Sequence, residues 1–184
     1  MQQCILLSHV FIHNGEKDKI DKVEFALKHW RQFNPDAYIV VTGHGVQPNI
    51  EQYCDHIIWP SQIIQKDINV GHPHLVSLGL EYIQKKGFED VLKSRCDTVH
   101  NLDNVFVFAR DQLEDKKMLV TQQTSLTQQS LGDLFNFSKV DLMKKIFNVD
   151  KWYPTKTGLT SLANNFLAQC DQSTWKDACL HNLK

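Results

Sequence analysis

No two cysteines in this chain stand at C-x-x-C spacing. The five present, Cys4, Cys54, Cys96, Cys170 and Cys179, are odd in number and widely scattered, so they indicate neither a disulfide framework nor a zinc site. A reducing compartment fits best. The G-x-G-x-x-G fingerprint and the G-x-x-x-x-G-K-[ST] phosphate loop are both missing, which lowers nicotinamide, flavin and P-loop chemistry in the ranking. There is no surplus of positive charge: 20 Lys and Arg stand against 21 Asp and Glu, for a formal net charge of -1 and a pI near 6.7. Nucleic-acid binding by counterion release needs a basic field, so small molecules are the expected partners. The first residues carry no basic leader, and their apolar run is too short to span a bilayer, so a soluble cytoplasmic protein without an integral membrane segment is expected. Glycine and proline are thinly spread and no repeat period appears. One polar low-complexity patch, from Thr121 to Ser130, reads as a mobile loop.

A chain of 184 residues is long enough to bury a core as one domain. Cys4 to Val10 reads as a buried strand, interrupted by the polar pair Ser8-His9. Ile20, Val23, Leu27 and Trp30 then fall at helical spacing, with Lys19, Lys22, Glu24 and Lys28 on other faces, until Asn34-Pro35. Ala37 to Thr42 follows as a second buried strand, ended by Gly43-His44-Gly45, which reads as a flexible turn able to approach a ligand. Strand, helix and strand with short joints make a βαβ unit, whose strands run parallel. Pro48 to Tyr53 reads as a short helix and His56 to Trp59 as a third strand.

Asn69 to His74 leads into a helix in which Leu75, Leu78 and Tyr82 share a face. Helix N-termini attract anions, so Asn69, His72 and His74 are candidates to flank a phosphate, although two solvent-facing imidazoles at a surface cap is the plainer reading. Gly87 closes that helix, and Val91-Leu92 is a short buried strand that ends abruptly in Arg95, Cys96, Asp97 and His100. Ligands of α/β sheets bind outside the carboxyl ends of the strands. Arg95-Cys96-Asp97 at such an edge sets a positive fork two residues from a carboxylate, which suits a diphosphate and its divalent cation as well as it suits an ordinary strand-end loop. Asn101-Leu102-Asp103 would cap a helix over Asn104 to Gln112, and Met118 to Thr121 is a strand. Leu131 to Ser138 alternates as a strand with Asp133 at its entry, and Val140 to Phe147 is a short helix. Trp152-Tyr153-Pro154 reads as an aromatic turn, with helices over Leu162 to Cys170 and Thr174 to Leu183.

Three of these pieces together resemble one known group. They are Asn69 to His74 running into its helix, Val91 to Asp97, and Leu131-Gly132-Asp133-Leu134-Phe135. They look like the WavE-type glycosyltransferases of lipopolysaccharide synthesis and the small glycosyltransferase domains of large algal viruses, over roughly Cys4 to Phe147. The resemblance implies a single α/β domain of GT-A type, a mixed, mainly parallel sheet flanked by helices, with a donor half over about 1-100 and an acceptor half over about 101-184. It implies a metal-dependent transferase moving a sugar from a nucleotide-diphosphate donor to a glycan, glycoprotein or lipid-linked acceptor; a uridine- or similar pyrimidine-linked donor and inversion are the first hypothesis, with retention left open. The cofactor implied is Mn²⁺ or Mg²⁺ on an Asp-x-Asp motif. Here the first acid of that motif is replaced by Arg95, so Asp97 alone carries over as direct ligand, and the diphosphate and water would complete the shell. On the same resemblance Arg95 neutralises phosphate or orients Asp97 and Asp133 is the base; His100 is a further candidate to reach the metal or the departing phosphate, which the resemblance itself does not fix. Ser8, His9 and Thr42 would line the base and ribose, and the loop from Gln122 to Ser130 would close over the donor.

Two other classes stay open. One is a catalytically silent nucleotide- or glycan-binding module on the same scaffold. The other is a nucleotidyltransferase or phosphatase using Asp97, although Ser8-His9 after the first strand argues against the aspartyl phosphatases.

Overall fold

Ile20, Val23, Ala26, Leu27 and Trp30 recur at three- and four-residue steps, and only that spacing lets one stripe of a helix meet a sheet. In the computed structural model these residues belong to α1 (Lys17–Phe33), whose buried members are Val23, Ala26, Leu27 and Trp30. Asn34 ends it: its backbone N–H and its side-chain Nδ2 both donate to the Trp30 carbonyl, and Pro35 cannot continue the turn. The structure describes residues 3–12, 16–62, 71–100, 104–113, 118–125 and 128–147. The readings over Trp152 to Leu183 and at Asn69 lie outside them.

The chain runs β1 (Cys4–Ile12), α1, β2 (Tyr38–Gly45), a 3₁₀ turn (Glu51–Tyr53), β3 (His56–Ile58), α2 (Gly71–Lys85), β4 (Asp90–Arg95), α3 (Val105–Leu113), β5 (Met118–Ser125), β6 (Gln128–Lys139) and α4 (Val140–Ile146). The strands form one sheet in the order β3-β2-β1-β4-β6-β5. β3, β2, β1 and β4 are mutually parallel, while β6 is antiparallel to both β4 and β5. Mixed sheets of this kind, a parallel core with antiparallel strands added on one side, are common in α/β proteins.

Strand side chains alternate between faces, and the core divides accordingly. Cys4, Leu6, Val40 and Val91 pack with Val76, Leu80 and Ile83 of α2 and Val140, Met143 and Ile146 of α4. Ile5, Leu7, Ile39, Val41 and Leu92 pack on the other side with α1 and with Val105, Phe106 and Ala109 of α3. The molecule is therefore three layers, helix on sheet on helix. α2 lies close to the sheet because Gly79 has no side chain: a Cβ there would meet Leu6 and Thr42.

Three expectations differ from what is seen. Gly43-His44-Gly45 is not a turn but the last part of β2, paired with Val10, Phe11 and Ile12. Its glycines are small for internal reasons. A Cβ on Gly43 would strike the Trp59 ring, and Gly45, at φ +93, sits against the Ile12 carbonyl, which Val46 N–H reaches at 2.9 Å. The polar patch from Thr121 to Ser130 is not a loop either. Gln122 pairs with Leu131 and Ser125 with Gln128, making the patch the far end of the β5–β6 hairpin. Hairpin pairing satisfies the backbone donors and acceptors whatever the side chains are, so an absent apolar alternation gave no sign of it. Finally, α3 starts one residue later than read, behind Asn104, whose Oδ1 accepts the Val107 N–H at 3.3 Å; the cap read at Asn101-Leu102-Asp103 lies outside the described residues.

Candidate functional site

In the order 3-2-1-4 the chain winds outward from β1 in both directions, so the topological switch lies between β1 and β4. Ser8 on β1 is the Cα partner of Arg95, the last residue of β4, and the Ser8 carbonyl accepts the Cys96 N–H at 3.0 Å. Arg95-Cys96-Asp97 therefore leaves the sheet at the switch point, on the carboxyl side. Thr42 stands near the end of the adjoining β2, and α2, antiparallel to the strands, starts at the same edge with Gly71 and His72. β6 enters there as well: Phe135 pairs with Ser94, and continuing the antiparallel register sets the Asp133 backbone level with Cys96. The backbone positions of Ser8, His9, Thr42, His72, Arg95, Asp97 and Asp133 thus share one edge of the sheet.

The side chains divide by face. Alternation from Leu6, Val40 and Val91 puts Ser8, Thr42, Lys93 and Arg95 on the α2 side. Ser8, Thr42 and Lys93 are fully buried. Lys93 places its ammonium 5.5 Å from the Phe147 ring centroid, a cation–π contact inside the core. The Thr42 Oγ1 and, on the strand opposite Lys93, the Asn136 Oδ1 are buried with no hydrogen-bond partner among the described residues. Buried groups of that kind cost stability and draw attention to the place where they occur.

Arg95 and Asp97 form a bidentate pair: Nε donates to Oδ1 at 2.8 Å and Nη2 to Oδ2 at 2.7 Å. Their side chains are 27% and 40% exposed, so the pair adds little to folding and mainly fixes orientation. His100 folds back over the opposite face. Its ring stands edge-on to Trp30 and Phe135, with centroids 5.3 and 5.2 Å away, and its Nε2 lies 3.4 Å from the Ser94 hydroxyl. Trp30 Nε1 donates to the Thr98 carbonyl at 2.8 Å, so the loop after β4 is fastened to α1 at two points.

A resident divalent ion does not fit these residues well. Among the described residues no three His, Cys, Asp or Glu side chains come together as a cation cage. Both oxygens of Asp97 already accept hydrogen bonds from a like-charged competitor for the ion, and His100 is engaged on the α1 side. None of the described cysteines offers a thiolate: burial pushes Cys4 and Cys96 well up and Cys54 to about 11.

A concavity of ≈ 510 Å³ runs beside the edge strand β3 and is lined by Gln47, Glu51, His56 and Trp59 among others. None of these was singled out from the sequence. Trp59 lies against Gly43 and donates its Nε1 to the Gly45 carbonyl at 2.9 Å, while His44 Nδ1 meets the Pro60 carbonyl at 2.9 Å, so the ends of β2 and β3 are tied together. The sequence signal was an aromatic residue between a short apolar run and a proline.

Two histidines carry a pH signature. The His56 ring stacks flat on Tyr82, with centroids 3.7 Å apart, and desolvation followed by the charge of Lys86 lowers its pKa from 6.5. Burial lowers that of His74 too, against the opposing pull of Glu81. A folded-state pKa below the unfolded one means that the unfolded chain binds the extra proton, so the stability is present above pH 6.5 and is lost as the pH falls below it. Melting temperature should therefore fall on acidification from neutrality, and His56→Gln should flatten that slope. An unchanged slope in the variant removes His56 from the account.

No family model matches the sequence, and no curated protein does. Solved structures do match in shape. A glycosyltransferase involved in glycosylation of the major capsid of PBCV-1 aligns with a TM-score of 0.59 at 10% identity, over 99% of this chain and 82% of that one. A protein from Desulfovibrio desulfuricans described as a nucleotide-diphospho-sugar transferase aligns at 0.55 and 12%, over 92% and 77%. The 4-diphosphocytidyl-2C-methyl-D-erythritol synthase of Anaerococcus prevotii aligns at 0.54 and 11%, over 90% and 82%. At these identities the likeness establishes the fold alone, a GT-A-like α/β domain.

Proposed function

We propose that the chain is a transferase that moves a sugar from a nucleotide-diphosphate donor to a hydroxyl of a glycan, glycoprotein or lipid-linked acceptor. The observation that carries this reading is the meeting of Ser8, the Arg95–Asp97 pair and the entry of β6 at the switch point of a GT-A-like sheet. The diphosphate lies at the end of β4, where the Arg95 guanidinium, held by Asp97, faces it. Thr42 and Ser8 border the nucleoside side of the same edge, with uridine-linked donors the first to examine.

Transfer on this site is a single displacement. The acceptor oxygen attacks the anomeric carbon, the bond from that carbon to the diphosphate oxygen breaks, and its electron pair leaves with the diphosphate. The acceptor proton goes to Asp133 as base, which inverts the configuration at the anomeric carbon. Positive groups fixed near the leaving oxygen lower the barrier because charge grows there as the bond breaks.

The nucleotidyltransferase reading shares the scaffold, as the Anaerococcus enzyme shows for the fold. Product analysis separates the two. With a nucleotide-sugar panel, glycosyl transfer releases a nucleoside diphosphate; with nucleoside triphosphates and sugar phosphates, nucleotidyl transfer releases pyrophosphate. Stabilisation by nucleotide sugars without turnover on any acceptor would leave the binding-module reading in place.

A further inference from the structure

We infer that Arg95 takes the place of the divalent cation as the counter-charge to the donor's diphosphate, with Asp97 acting as the residue that positions it. The inference rests on the transferase reading above.

Three observations converge on it. First, Arg95 stands where a metal-binding carboxylate would be expected, at the last residue of β4 and in register with Ser8 across the switch point. Second, Asp97 grips the guanidinium edge with two hydrogen bonds of 2.8 and 2.7 Å. A dication bound to the same two oxygens would sit within a few ångströms of a fixed positive group, whereas a diphosphate would be drawn to it. Third, Lys93 shares the α2 side of β4 with Arg95 and is fully buried. Arg95 is thus followed inward on the same face by a second basic residue, whose ammonium lies over the Phe147 ring.

The chemistry balances without a metal. When the anomeric bond breaks, the electron pair passes to the terminal diphosphate oxygen and the acceptor proton to the base. Arg95 stays protonated throughout, since a guanidinium does not titrate in proteins, and faces the added negative charge. Asp97 then touches neither sugar nor diphosphate. Its task is to hold the fork at the mouth of β4, because an unpaired arginine at 27% exposure would sample many rotamers.

The test is donor affinity by calorimetry on the full chain, with a panel of uridine, guanosine, cytidine and thymidine diphosphates and their sugars, in chelator and then in Mn²⁺ or Mg²⁺. Wild-type affinity for the bound donor should agree within about twofold between the two conditions, on the scale where tenfold is one step of binding energy. Arg95→Met should lose about 10- to 100-fold, the size expected for charged hydrogen bonds. Arg95→Lys, which keeps the charge without the fork, should recover part of that loss, and it serves as the measurement if the Met variant does not fold. Affinity that collapses in chelator and returns with metal, or that survives in both Arg95 variants, overturns the inference while leaving the transferase reading intact. Failure of every nucleotide in both conditions overturns the transferase reading itself.

Discussion

Asp133→Asn is expected to lower transfer by about 10²- to 10⁴-fold, the contribution of a general base, while donor affinity stays within about twofold of wild type. β6 enters the sheet beside the end of β4, and its register sets residue 133 level with Cys96. On the proposed function a base at that height would stand on the acceptor side of the diphosphate, its backbone one strand over from the end of β4. Asparagine keeps the size and the polar surface of the side chain but cannot accept a proton at neutral pH. The loss should therefore appear in turnover and not in donor binding. Single-turnover rates and donor titrations on the same preparation check it. Unchanged turnover takes residue 133 out of the role of base, and a parallel loss of affinity would make it a donor contact instead.

The second large effect is structural. Trp30→Ala should cost about 3 to 5 kcal/mol of stability, as truncation of large buried aromatics generally does. Trp30 is 1% exposed, belongs to the α1-side core and meets the His100 ring in a T-shaped contact. At roughly 2 to 4 °C per kcal/mol for a chain of this size, the melting temperature should fall by on the order of 10 °C. Urea unfolding should show a lower midpoint with an unchanged slope. Trp30→Phe fills most of the space but loses the donor to the Thr98 carbonyl, so it isolates the fastening of the loop. It should cost about 1 to 3 kcal/mol, since the carbonyl loses its partner. A loss as large as that of alanine would show that packing does not distinguish the two.

The parallel half of the sheet was legible because its strands are continuous apolar runs and α1 is strictly periodic, so burial wrote itself into residue type. Cys4–Ile12 and Asp90–Arg95 contain the runs read from the sequence, and Tyr38–Gly45 contains its own but for Ala37, each extended by a few residues. The antiparallel half was harder. The far end of the β5–β6 hairpin owes its form to backbone pairing, which leaves no mark on a string of Thr and Gln. At the site, the sequence could show that Arg95 and Asp97 flank a strand end, because both follow an apolar run. It could not show that the two would clasp each other, nor that His100 would turn toward Trp30, because loop direction depends on what lies beneath. Glycine misled for a related reason. Gly43 and Gly45 signalled close approach correctly, yet the neighbours that approach are Trp59 and Ile12 of the chain itself.

Ser94 and Arg95 are adjacent in sequence and look out from opposite sides of the sheet: one side anchors the segment through His100 and Trp30, and the other carries the charged clasp. Mutational drift can therefore exchange the arginine or its carboxylate partner at small cost to folding, since that clasp is solvent-accessible and contributes about 0 to 1 kcal/mol. Descendants that have fallen silent would melt like working ones, and calorimetric robustness by itself is no guide to which sequences of this kind still turn over.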